Sequence, residues 1–429
     1  MDRLAFPSSL RSFSESCLAG GLFETRKLSV ELAAPLTAED MTVQAMDDAS
    51  PTKWHLAHTT WFFEAFVLAP HLPGYCLFDE EFNYCFNSYY ERLGPRQPRP
   101  ERGLLTRPSL DRVLAYREHV DHALMKLLVR NAASEPAWAH LIEIGVNHEQ
   151  QHQELMLTDI LALFAANPLQ PAYRAAQRRS APARHEPLRW IDFPGGVHKI
   201  GHDGDGFAWD NETPRHDALL HPYRLADRLV TNAEWLEFID DGGYETAALW
   251  LSDGWAAVNR ENWRAPRYWE PSDDAWLEMS LEGLQPLDRD APVAHVSYYE
   301  ADAFARWAGK RLPTEFEWEA AATAALQTGN FLESRALRPL PAEGAPNGPR
   351  QMFGDVWEWT QSAYLAYPGY RPPEGALGEY NGKFMVNQQV LRGGSCVTQR
   401  RHMRASYRNF FYPHQRWQFM GLRLASEIN

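Results

Sequence analysis

Across residues 136–165 the apolar side chains recur at a period of about 3.6, and His148 and His152 sit four apart within that run. Only a helix accommodates the pattern. Spacing of i and i+4 puts both imidazoles on one face, one turn apart. Two nitrogen donors so placed can reach a single metal ion.

The run Asn147-His148-Glu149-Gln150-Gln151-His152 also matches the H-E-x-x-H spacing of zinc proteases, where the glutamate is a general base. Here two glutamines follow Glu149, and a third histidine has to come from elsewhere. An earlier segment, Ser50-Pro51-Thr52-Lys53-Trp54-His55-Leu56-Ala57-His58, offers it. Ser50 is expected to cap a helix whose first residue is Pro51. A third imidazole from this helix would complete a three-histidine facial site, with coordination positions left open for substrate, oxygen or water. The competing explanation for the pair alone is an amphipathic helix with two surface histidines.

At 429 residues the chain is expected to form two domains. A net charge of −14 argues against nucleic acid or an anionic membrane as partner. Cys17, Cys76, Cys85 and Cys396 form no C-x-x-C pattern and read as reduced thiols of a cytoplasmic protein. No apolar run reaches the roughly 20 residues of a membrane span.

Helical periodicity is expected near 9–32, 38–47, 51–69, 109–133 and 136–165, which makes residues 1–170 a helical bundle. A long loop, Phe82 to Pro108, interrupts it; its aromatic content points to function. Residues 171–187 read as a linker. From 188 to 429 the texture changes to short strands and irregular loops, with helices expected at 231–240, 298–309 and 314–324.

Four motifs stand in order in this second part: Arg311-Leu312-Pro313-Thr314-Glu315-Phe316-Glu317-Trp318-Glu319, Gly354-Asp355-Val356-Trp357-Glu358-Trp359-Thr360, Leu391-Arg392-Gly393-Gly394-Ser395 and Gly421-Leu422-Arg423-Leu424-Ala425. Together they resemble the formylglycine-generating-enzyme/sulfatase-modifying domain, a variant of the C-type lectin fold. These motifs describe a scaffold rather than a reaction. The copper-binding cysteine pair of the formylglycine enzymes has no counterpart, since Cys396 stands alone. The N-terminal part resembles the DinB-like four-helix metal-binding domain. The implied fold class is therefore α+β in two domains.

The fusion resembles the ergothioneine-pathway sulfoxide synthases, which use non-haem Fe(II) and O2 to join a thiol sulfur to C2 of the hercynine imidazole. The resemblance implies His58, His148 and His152 as iron ligands, with His55 in packing or hydrogen-bonding support. Asp159, farther along the same helix as His148, reads as structural. It further implies that Gln151, Asn409 and Phe410 contact hercynine. Phe411 replaces an acidic residue that relatives use for γ-glutamylcysteine, which points to L-cysteine as donor. Tyr89 and Tyr90 resemble the tyrosine pair of the cysteine-using subgroup, one of which donates a proton or hydrogen atom. Arg92 and Arg96 either anchor the donor carboxylate or solvate the loop. The competing functions are selenoneine synthesis from a selenosugar, use of γ-glutamylcysteine, a zinc-dependent thiol transferase, and a lectin-like binding module.

Overall fold

The computed structural model describes residues 17–130, 138–177, 187–273, 275–323, 325, 327–344 and 348–428. The expectations for 9–16, 131–137 and 178–186 fall outside them. The chain divides into two compact units, Met1–Leu163 and Phe164–Asn429. Among the described residues no helix is long and apolar enough to cross a membrane.

The first unit is helical: α1 (Cys17–Ala33), α2 (Thr52–Phe63), α3 (Ala69–His71), α4 (Phe82–Phe86), α5 (Leu110–Arg130) and α6 (Ala139–Ala166). A π-helical turn, Glu64–Leu68, joins α2 to α3. Every residue of α2 is buried, so this helix lies inside the bundle and not on its surface. Helix α6 approaches it closely at Gly145, where a Cβ would collide with the Phe63 ring. That contact lies one turn before His148 and brings the histidine face of α6 down onto α2.

Three local expectations are corrected. Residues 38–47 form turns, not a helix. Asp40 Oδ2 accepts from the Thr37 amide and hydroxyl, while Thr37 Oγ1 accepts from the Asp40 amide, a reciprocal pair of the capping-box kind, but the turn it opens ends after the Met41 and Thr42 amides bond back to Thr37 and Glu39. The helix after Ser50 starts at Thr52 with Pro51 at the cap position, and no side chain caps it. Ser50 serves tertiary structure instead: its amide donates to Asp159 and its hydroxyl accepts from Arg102. The segment from Phe82 to Pro108 is not a plain loop. It contains α4 and two 3-10 turns, Glu91–Leu93 and Arg99–Leu104.

Among the described residues the second unit holds four small sheets. Strands β1 (Trp190–Phe193), β2 (Gly196–Ile200), β3 (His216–Leu220) and β4 (Tyr223–Ala226) come first. Helices α7 (Asn232–Asp240) and α8 (Ser252–Glu261) precede the antiparallel meander β5 (Trp269–Ser272), β6 (Ala275–Ser280) and β7 (Gly283–Pro286). Helices α9 (Tyr298–Trp307) and α10 (Glu315–Thr323) follow, then β8 (Trp357–Ala363), β9 (Gln389–Arg392), β10 (Asn409–Phe411), β11 (Met420–Gly421) and β12 (Ala425–Glu427). The main sheet has the order β10-β9-β8-β11, and β1-β4-β12 form another. Although β1 and β2 are consecutive, they are not partners: β1 pairs with β4 and β2 with β3. Helix α7 starts at a capping box, Thr231 with Glu234, and α9 at another, Ser297 with Glu300. Helix α8 has no counterpart among the helices expected from sequence. Of the stretch expected as linker, Tyr173 is buried and Arg174 binds Glu282 at 2.7 Å, which ties it into the second unit.

The four sequence motifs meet one another in this core through buried ion pairs. Glu358 on β8 binds Arg423 at 2.9 Å. Arg392, which ends β9, binds Glu315 at 2.8 Å and Glu319 at 3.0 Å, both on α10. Gly393 has φ 98°, and a Cβ there would lie 2.8 Å from the Met352 carbonyl oxygen. Glu315, Glu319, Glu358, Arg392, Gly393 and Arg423 are thus explained by packing, as expected of a scaffold.

Glu315 also binds Arg408. Burial opposes its ionisation, but Arg408 and Arg392 hold its carboxyl below the usual range. A depressed folded-state pKa gives stability that is present above the unfolded value of about 4.3 and lost as pH falls through the folded value. Glu315→Gln is therefore expected to lower Tm at pH 7 by roughly 4 °C or more, since 1 kcal/mol shifts a domain this size by about 2–4 °C. The gap from wild type should shrink as pH drops below the glutamate range. A gap independent of pH would show that charge is not what Glu315 contributes.

Candidate metal centre

Helix α2 presents His58 and helix α6 presents His148 and His152. Among the described residues these three form a group whose ligand atoms all lie within 4.8 Å of one another. His58 Nε2 and His148 Nε2 are 3.1 Å apart. Two nitrogens about 2.1 Å from one ion, at right angles, would be separated by about 3.0 Å, so the spacing suits a shared metal. His58 Nδ1 donates to the Phe86 carbonyl at 2.6 Å, which leaves its Nε2 lone pair facing His148.

Burial, followed by the neighbouring imidazoles, pushes His58 and His152 well below the usual histidine pKa. Burial pushes His148 down to about 3, against the pull of Glu149. All three rings are therefore neutral at pH 7, the form that binds a metal. Aromatic walls hold them. The Trp54 ring stacks on His58 with centroids 4.5 Å apart, Trp61 stacks at 5.6 Å, and Phe62 lies 4.9 Å from His148. A neutral three-nitrogen set of this kind suits a borderline divalent ion such as Fe(II), Co(II) or Zn(II).

Glu149 is not placed as a general base would be. It is buried in an ion-pair cluster with Arg26 and Arg117 and accepts from Ser29 Oγ at 2.6 Å. Burial opposes its ionisation, but Arg117 and Arg26 hold the carboxyl below its usual range. The protease reading of this helix fails on that geometry. His55 Nδ1 lies 2.8 Å from His152 Nδ1, and His55 Nε2 lies 3.1 Å from Asp159 Oδ2. Asp159 is thus connected to the triad despite its distance along α6.

The remaining candidates separate by unit. Gln151, on α6 beside His152, is half-buried. Tyr90 is fully buried, with its ring 5.8 Å from Trp61 and 5.0 Å from Phe66; the half-buried Tyr89 ring lies 4.7 Å from it. Asn87 fixes this turn by exchanging hydrogen bonds with the Tyr90 backbone. Arg92 is exposed, and Arg96 pairs with Glu91. Asn409, Phe410 and Phe411 form β10 of the second unit. The Phe410 ring stacks on Tyr364 with centroids 4.0 Å apart, and Phe411 meets Trp417 edge-on at 5.6 Å.

Sequence reasoning missed Arg102. Its guanidinium lies 3.5 Å from the centroid of Trp54, the ring that stacks on His58. It is buried, bonds Ser50 and Ser88 hydroxyls, and forms no ion pair among the described residues. Burial and then Arg99 push its pKa well below the usual arginine value. No periodic pattern marks a residue in a 3-10 turn, so nothing nearby in sequence distinguishes Arg102 from Arg92 or Arg96.

Comparison with known proteins agrees with this architecture. Residues 22–156 match the DinB superfamily, and residues 177–347 and 335–428 match the sulfatase-modifying factor enzyme 1-like domain. A protein of Mycolicibacterium thermoresistibile named hercynine oxygenase is 34% identical over 413 residues, covering 89% of this chain and 88% of its own. The hercynine oxygenase of Mycobacterium tuberculosis is 32% identical over 406 residues, covering 88% of this chain and 91% of its own. The ergothioneine biosynthesis protein 1 of Schizosaccharomyces pombe is 29% identical over 231 residues, 51% of this chain and 27% of its own. With relatives at 34% and 32% identity matched along nearly their whole length, the chain belongs to the hercynine oxygenase family, and it joins a DinB-type helical domain to a sulfatase-modifying factor domain.

Proposed function

We propose that this protein is a sulfoxide synthase of ergothioneine biosynthesis, joining L-cysteine to C2 of the hercynine imidazole with O2 as oxidant. The observation that carries the reading is the triad of neutral imidazoles, His58 and His148 buried and His152 half-buried, in a chain of this family. The reaction balances without another reductant. The imidazole C–H and the thiol S–H are broken, a C–S bond and an S–O bond form, and four electrons reduce O2 to one water and one sulfoxide oxygen.

Bound Fe(II) would supply oxygen activation and would favour the donor as thiolate. The chain's own groups do the rest. The three imidazoles hold the ion without cancelling its charge. Gln151, beside His152, is assigned to orient hercynine through its amide. Asn409 and Phe410 are assigned as further hercynine contacts, the aromatic ring suiting a trimethylammonium group that has no N–H to donate. Tyr89 or Tyr90 is assigned as the group that holds a transferable proton at its phenol oxygen; burial among aromatic rings favours Tyr90. Arg102, a buried cation without an ion-pair partner among the described residues, is a better candidate for the donor carboxylate than Arg92 or Arg96.

Phe411 supports free cysteine over γ-glutamylcysteine. The larger donor brings an ammonium group that must lose water, and an aromatic ring recovers only part of that cost. The test is anaerobic loading with Fe(II), then O2, hercynine and each donor, with product masses and kcat/KM. The expected product is the cysteine sulfoxide adduct with one oxygen derived from O2, and cysteine should give the higher kcat/KM. An adduct formed without oxygen uptake would refute the oxygenase reading. A preference for γ-glutamylcysteine would refute the donor assignment alone.

A further inference from the structure

Asp159, His55 and His152 form a hydrogen-bonded line from the carboxylate toward the triad. Asp159 Oδ2 is fixed first by the Ser50 amide at 2.8 Å. His55 Nε2 lies 3.1 Å from the same oxygen, and His55 Nδ1 lies 2.8 Å from His152 Nδ1. The direction of each bond follows from chemistry. A carboxylate accepts only, so His55 Nε2 carries the proton. In a neutral imidazole the other nitrogen then accepts. His152 Nδ1 must therefore donate, which leaves the lone pair of His152 on Nε2.

From this line we infer that Asp159 and His55 are positioning residues that set the tautomer of His152 and thereby present its Nε2 to a metal. The inference rests on the triad being a metal site. It gives His55 a specific task and gives Asp159, seven residues beyond His152 on α6, a part in the site. A hydrogen-bonded partner on the far nitrogen fixes a ligand's ring and raises its basicity, and its loss typically weakens metal affinity by about 10–100-fold.

The apo-protein labelled with 15N-histidine tests the tautomers directly. His152 should show the proton on Nδ1 and His55 on Nε2; His152 protonated on Nε2 would overturn the inference. Affinity for Co(II), measured against a competing chelator, tests the consequence. His55→Phe should bind Co(II) about 10–100-fold more weakly, and His55→Gln, whose amide oxygen can accept from His152, should recover most of the loss. Asp159→Asn keeps an acceptor oxygen held by the Ser50 amide and should stay within about threefold, while Asp159→Leu, which has none, should fall with His55→Phe. Equal losses for Asn and Leu would show a charge effect rather than tautomer control and would sink the idea. So would His55→Phe affinity within twofold of wild type, or losses that follow apo-protein Tm with no recovery in His55→Gln. Wild-type chain that takes up no Co(II) would instead overturn the metal reading, and the tautomer assignment would still decide the relay.

Discussion

His148→Ala is expected to lose more than about 100-fold in Fe(II) affinity, because loss of a ligand should exceed the about 10–100-fold effect of losing an outer partner. Turnover of hercynine should disappear with the metal. His148 meets both other rings: its Nε2 faces His58 Nε2 at 3.1 Å, and its ring lies 4.6 Å from that of His152. Without it the remaining pair has no third donor, and two imidazoles do not enforce a facial arrangement. The imidazole is also packed on Phe62, so some loss of apo-protein stability accompanies the change. Metal content per chain after anaerobic loading and desalting separates the two effects. Full iron occupancy in a folded His148→Ala chain would remove this residue from the ligand set.

Glu149→Ala is expected to destabilise the first unit by about 3–5 kcal/mol, the usual result of stripping one partner from a buried ion pair. Arg26 and Arg117 come from α1 and α5 and converge on this carboxylate, with side chains nearly without solvent exposure. Removing Glu149 leaves Arg117 without its buried ion-pair partner and leaves Arg26 with Asp121 alone. Glu149→Gln should cost less, because the amide oxygen still accepts one of their hydrogen bonds. The measurement is the denaturant midpoint with its slope unchanged. A fully stable Glu149→Gln chain that binds metal but is inactive would point instead to a proton-transfer role, as in the protease motif the segment imitates.

The residues differ in how far sequence alone could place them, and the division is physical. Helix α6 and the alignment of His148 with His152 were legible because helical periodicity is local: spacing alone settles which side chains share a face. The starts of α7 and α9 were legible for the same reason, since Thr231 with Glu234 and Ser297 with Glu300 bond within one turn. The scaffold motifs were recognisable as a group, but their partners, such as Glu358 with Arg423, were not. What only tertiary structure decided are contacts between residues far apart in the chain. Glu149 belongs to an ion cluster and not to catalysis because α1 and α5 deliver arginines to it. Ser50 is no helix cap because Asp159 and Arg102 claim its polar groups. Residues 38–47 are turns although their apolar spacing suits a helix and Thr37 with Asp40 forms bonds of the capping-box kind, so a local start signal did not decide the segment. Arg102 rather than its neighbours is buried because Trp54 offers it a ring, and His55 meets His152 because Gly145 lets two helices come close. Periodicity determines which face a side chain occupies; the partner that gives it a task is chosen by the packing of distant segments, which no local pattern encodes.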